Sequence, residues 1–135
     1  MSYLEWSDKL SVGVREIDNQ HKGLIDLVNK FYDAMEHERA SQETELTLKK
    51  LAAYAVHHFQ TEETYMNRFK YPGYLSHKLA HEEFTKKITE FQQAFEEKKH
   101  VDPMALIAFL NVWIVNHIKS IDKQYSETFV KNGLT

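Results

Sequence analysis

A chain of 135 residues and 16.0 kDa, 42% hydrophobic and 27% charged, has the apolar mass for one core and no room for a second folded domain. Four Gly and two Pro are too few turn formers for an all-β fold, and the absence of Cys excludes disulfide frameworks, thiolate zinc sites, iron–sulfur clusters and a Cys nucleophile. Seventeen basic against twenty acidic side chains give a formal charge of −3 with no Lys or Arg block, which argues against nucleic acid or an anionic membrane as partner.

The start, Met1-Ser2-Tyr3-Leu4-Glu5-Trp6-Ser7-Asp8-Lys9, lacks the basic and then apolar pattern of a secretory signal. No run approaches the length needed to cross a bilayer, so a cytoplasmic chain without membrane insertion is expected. Residues 1–17, with Trp6, Val12 and Val14, read as an extended arm laid over one end of a bundle that spans 18–131, all within a single domain. From Asp18 the apolar residues Leu24, Val28, Phe31 and Met35 recur at steps of three and four, predicting a first helix up to His37. Ser41 and Thr44 offer capping chemistry for a second, which carries Leu48, Leu51, Ala55, Phe59, Met66 and Phe69 and ends at Tyr71-Pro72-Gly73-Tyr74. With Ser76 as N-cap, Phe84, Ile88, Phe91 and Phe95 define a third. Asp102-Pro103 opens a fourth, with Leu106, Leu110, Trp113, Ile114 and Ile121, before a frayed end at 131–135. Four helices on short connections predict an all-α, antiparallel up-down four-helix bundle.

Several of the eight His fall inside the apolar stripes. His21 continues Ile17, Leu24 and Val28; His58 and Glu62 continue Leu48, Leu51 and Ala55; His77 and His81 open the series of Phe84 and Ile88; His117 follows Leu110 and Ile114. Side chains four apart on a helix share one face, so His58 with Glu62, and His77 with His81, can reach a common point. One such His is more often a hydrogen-bonded core residue than a ligand. Five at once are different, because each buried polar group without a partner costs about 1–3 kcal/mol, and a shared metal centre satisfies all of them.

His21, His58, Glu62, His77, His81, His117 and Asp122 are too many ligands for one tetrahedral zinc, so two ions are implied. Imidazole with carboxylate suits iron, although zinc, manganese, copper or nickel would bind such a set. Two octahedral ions have about twelve positions; after five imidazoles, two bridging carboxylates and a bridging oxygen, about one stays open for a diatomic ligand such as O₂. Asp122, five residues past His117, is off the face of an ideal helix, which predicts a π-type turn or break near Ser120-Ile121. His57, next to His58, points about 100° away, and His37 and His100 fall in polar connections. Trp6 and Tyr125 either close the site or merely pack.

The pattern His21, His58-Phe59-Gln60-Thr61-Glu62-Glu63, His77-Lys78-Leu79-Ala80-His81 and His117-Ile118-Lys119-Ser120-Ile121-Asp122 resembles the hemerythrin family, its single-domain bacterial members in particular, over nearly the whole chain. The resemblance implies two non-haem Fe ions, oxo- or hydroxo-bridged, that bind O₂ reversibly. It assigns His77, His81 and His117 to one iron, His21 and His58 to the other, and Glu62 and Asp122 as bridges. It further implies an apolar O₂ pocket of Leu24, Trp113, Ile114 and Ile118, whose wall excludes the water that promotes autoxidation. The implied role is oxygen transport, storage or delivery rather than catalysis, in a monomer, with an O₂-consuming enzyme as a candidate recipient. Sensing of O₂, redox state or nitric oxide through a partner, and a di-iron oxidase or iron store, are the alternatives. The carboxylate-rich Glu-x-x-His signature of di-iron enzymes occurs only at Glu97–His100, a polar helix end.

Overall fold

The computed structural model describes residues 4–36, 40–97 and 102–135, with side chains at all of these except 35, 36, 40–44 and 103. Its helices are α1 (Arg15–Glu36), α2 (Ala40–Arg68), α3 (Tyr74–Glu96) and α4 (Pro103–Asn116), the last continued by a π-helical segment (His117–Asp122) and α5 (Lys123–Lys131). These make four rods of an up-down bundle: α1 packs on α2 and α4, α2 packs on α3, and no strand occurs among the described residues. The expected roles of Met35, Ser41 and Thr44, and the solvated positions of His37 and His100, lie outside the described side chains.

Local chemistry sets the boundaries. Asp102 caps α4 by accepting from the Met104 N–H at 3.0 Å, with Pro103 in the first turn as its fixed φ and missing N–H favour. α3 begins at Tyr74, earlier than a Ser76 cap would have it, because the Gly73 carbonyl already accepts the His77 N–H at 3.0 Å. The chain does not fray after α5. Leu134 N–H reaches the Phe129 carbonyl and Gly133 N–H the Val130 carbonyl, both at 3.1 Å, while Gly133 takes φ 99° and Leu134 packs near Phe129, which together make a Schellman closure. α2 ends the same way, with Lys70 in the left-handed position at φ 54°.

The amino-terminal arm is shorter than expected and lies differently. Arg15, Glu16 and Ile17 are already helical, and the arm runs alongside α1 instead of over one end. Leu4 exchanges two hydrogen bonds with Asn29 (2.7 and 2.8 Å), whereas Val12 N–H donates to Asp18 at 2.9 Å. Those anchors are eleven residues apart on α1, about 16 Å at the α-helical rise. A second expectation fails in the fourth rod: the continuous helical run Met104–Lys131 contains an 18-residue window of mean hydropathy 1.5, long and apolar enough to cross a membrane by length and composition alone. The reason is that Lys119 is the only charged residue between Met104 and Ile121.

The buried residues fall into two clusters. The larger gathers Leu24, Phe59, Phe84, Ile114 and Ile118 with the rest of the core, and the smaller joins Val12, Val14, Ile17, Met66, Tyr125 and Phe129. The predicted ligands stand where the two clusters meet: Ile17, His21, Leu24 on α1 and Phe59, Glu62, Met66 on α2 run from one cluster to the other, and on α3 His77 and His81 lie between Tyr74, partly buried against the smaller cluster, and Phe84 of the larger. The fold therefore holds one polar layer between two apolar ones.

Candidate metal centre

All seven residues of that layer are buried, none exposing more than 4% of its surface. α1 supplies His21, α2 His58 and Glu62, α3 His77 and His81, and the π-helical segment supplies His117 and Asp122. On an ordinary helix residues five apart diverge by about 140°. The wider π turn returns Asp122 to the face of His117, as the five-residue offset predicted. His57 is exposed.

Their polar atoms converge in two groups that share both carboxylates. One contains His77, His81, His117, Glu62 and Asp122; the other contains His21, His58, Glu62 and Asp122. Asp122 Oδ1 lies 2.8 Å from His77 Nε2 and 2.9 Å from His117 Nε2, and Oδ2 lies 2.9 Å from His21 Nε2. Glu62 Oε1 lies 2.9 Å from His58 Nε2 and 3.4 Å from His81 Nε2. The Nε2 atoms of His77 and His117 are 3.2 Å apart, two nitrogens aimed at one region.

Proximity does not amount to hydrogen bonding here. Among the described residues, eight buried side-chain atoms have no hydrogen-bond partner, including His21 Nε2, His81 Nε2, Glu62 Oε1 and both oxygens of Asp122. Burial and the charge of Asp122 push the Glu62 carboxyl up, but His58 and His81 outweigh them and hold it below the usual range. Asp122, opposed by burial, is likewise held well below its ordinary value by His117, His21 and His77. Burial depresses His77, but its contact with Asp122 outweighs that and raises it. Two ionised carboxylates and inward-facing ring nitrogens in a dry layer are a donor set for cations, and cations would satisfy the orphaned atoms. The residues present fit a metal centre.

Sequence reasoning missed the outer partners. His58 Nδ1 lies 2.6 Å from Gln20 Oε1, His81 Nδ1 lies 3.0 Å from Glu63 Oε2, and the Tyr125 hydroxyl donates to Glu62 Oε2 at 2.5 Å. Each pair spans two rods, so only interhelical register brings its members together; adjacency of Gln20 and Glu63 to His21 and Glu62 was the one available signal. Tyr125 is buried and packs, and Trp6 sits partly buried against the main core with Lys22 over its ring. Neither lines the cavity beside the site.

That cavity, of about 10 Å³, is bordered by His21, His58, His117, Asp122, Leu24, Phe59, Trp113, Ile114 and Ile118. It is at the lower limit of the space that admits one water. All four side chains expected to form an apolar pocket line it, together with Phe59, which also stacks on His81 with ring centres 3.9 Å apart.

Fold and site together define a four-helix bundle with an interior histidine–carboxylate cluster able to hold metal. The profile of the hemerythrin HHE cation binding domain matches residues 12–128, and the chain belongs to the hemerythrin family. It is 33% identical over 125 residues to a bacteriohemerythrin of Pseudomonas aeruginosa, covering 93% of this chain and 80% of that one. To a bacteriohemerythrin of Clostridium acetobutylicum it is 30% identical over 126 residues, covering 89% and 96%. A crystal structure of wild-type hemerythrin superposes with TM-score 0.89 at 29% identity, covering 95% of this chain and 98% of that one.

Proposed function

We propose that this protein binds O₂ reversibly at two iron ions and acts as a carrier or store rather than an enzyme. His77, His81 and His117 would hold one ion, His21 and His58 the other, with Glu62 and Asp122 shared. The observation that carries this reading is the division of seven buried ligands into two groups with the same two carboxylates in common. Iron bound there would supply the electrons for O₂ binding.

The chain's own residues account for the rest. Glu62 and Asp122 would offset part of the positive charge of two cations in a buried layer. The unequal ligand count leaves the two-histidine group the less saturated, and the small cavity borders both of its histidines. Leu24, Trp113, Ile114 and Ile118 give that cavity apolar walls, which favour a small neutral molecule over water or anions.

The test is iron content together with the visible spectrum of reduced protein under nitrogen, then in air, then under nitrogen again. Two irons per chain and a charge-transfer band that appears with O₂ and vanishes on its removal are expected. A band that never reverses would replace the carrier with an oxidase or redox sensor, and zinc in place of iron would end the O₂ reading. Glu62→Ala is expected to lose most of the bound iron; two tightly held irons in that variant would contradict its bridging role.

A further inference from the structure

Two of the five inward-facing histidines are held from behind, and by acceptors of different charge. His81 Nδ1 lies 3.0 Å from the carboxylate of Glu63, and His58 Nδ1 lies 2.6 Å from the amide oxygen of Gln20. The orientation of the amide follows from its neighbours. Gln20 Nε2 donates to Thr61 Oγ1 at 3.2 Å, and Thr61 Oγ1 donates to the His57 carbonyl at 3.2 Å, so Gln20 Oε1 is left to accept. A carboxylate and an amide oxygen both accept; each ring therefore carries its proton on Nδ1 and turns the Nε2 lone pair toward the site. The Nδ1 atoms of His21, His77 and His117 have no such partner among the described residues.

His81 belongs to the three-histidine group and His58 to the two-histidine group. Resting on the two-iron reading above, we infer that Glu63 and Gln20 are positioning residues that make the two ions electronically unequal. The full negative charge behind His81 strengthens that ring as a donor and favours the higher oxidation state at the three-histidine ion. The neutral carbonyl behind His58 leaves the other ion, beside the cavity, the more readily reduced. Glu63 is partly screened, since it is 22% exposed and faces a groove of about 380 Å³ that Lys78, Glu82 and Lys86 also line. The expected effect is accordingly at the low end of the about 10–100-fold range for such partners.

Three substitutions separate charge from position. Glu63→Gln keeps an acceptor for His81 Nδ1 and removes only the charge, Glu63→Ala removes both, and Gln20→Glu adds a charge behind His58. Apoprotein of each would be titrated with Co²⁺ by its visible absorption, and the iron-loaded protein taken through its two one-electron steps by spectroelectrochemistry. Wild type should take up two Co²⁺. Glu63→Gln should keep both, weaken one step about tenfold and raise one potential by about 59 mV, which is tenfold for one electron. Gln20→Glu should lower a potential, and Glu63→Ala should weaken Co²⁺ binding further than Glu63→Gln. Wild-type potentials in both Glu63→Gln and Gln20→Glu, with two ions bound, would overturn the inference while leaving the two-iron reading intact. Fewer than two Co²⁺ in the wild type would defeat that reading, and the inference with it.

Discussion

Tyr125 is wholly buried, its ring stacked on those of His77 and Phe129 and its hydroxyl bonded to Glu62. Burial, then the charges of Glu62 and Asp122, push its pKa well above the ordinary tyrosine value. A raised folded-state pKa means that its contribution is complete below about pH 10 and is lost as pH climbs past that value. Urea unfolding of the apoprotein should therefore show stability falling above about pH 10, and Tyr125→Phe should flatten that limb while costing about 1.5–3 kcal/mol at neutral pH. An alkaline limb unchanged in the variant would assign it to other groups. Ile118, buried and on the cavity wall, makes a second prediction. Ile118→Ala should cost about 2–5 kcal/mol, leave iron content unchanged, and speed autoxidation by admitting water; an unaltered rate would remove Ile118 from the pocket.

At the level of the elements, the π-helical segment does what an α-helix cannot, presenting His117 and Asp122 together although they are five residues apart. The contact between α1 and α2 rests on a similar local exception. A Cβ at Gly23 would lie 2.1 Å from the Tyr54 hydroxyl and 2.6 Å from its Cζ, so the bare backbone there is what lets Tyr54 lie against α1. Gly23→Ala gains about 1 kcal/mol of helix propensity but must displace that ring, and it is expected to destabilise. In a Tyr54→Ala background the same change should stabilise by up to about 1 kcal/mol. Chemical denaturation of the four proteins measures the reversal of sign, and the same sign in both backgrounds would refute the contact. Lys70, at φ 54° after α2, is a further local strain; Lys70→Gly should raise the melting temperature by relieving about 1 kcal/mol.

Across the whole molecule, the polar layer divides the core and buries two carboxylates, so metal binding in that layer would be linked to folding. Metal that binds only the folded state stabilises it by about 4 kcal/mol at a thousandfold excess over its dissociation constant. Removal by a chelator should lower the melting temperature by several degrees and restoration should recover it. Identical melting curves with and without metal would show that the orphaned atoms find other partners.

Helical periodicity, the Asp102-Pro103 start and the inward placement of the seven His and carboxylate residues of the polar layer were legible in the sequence because each depends on spacing along one helix. Even the π turn was legible, since a five-residue offset in one segment has few geometric solutions. The course of the arm along α1, the reach of Gln20 and Glu63 to histidines on other rods, and the bond from Tyr125 to Glu62 were decided only by the tertiary structure. They depend on the axial register and rotation of one helix against another, which side-chain packing sets and no single segment encodes.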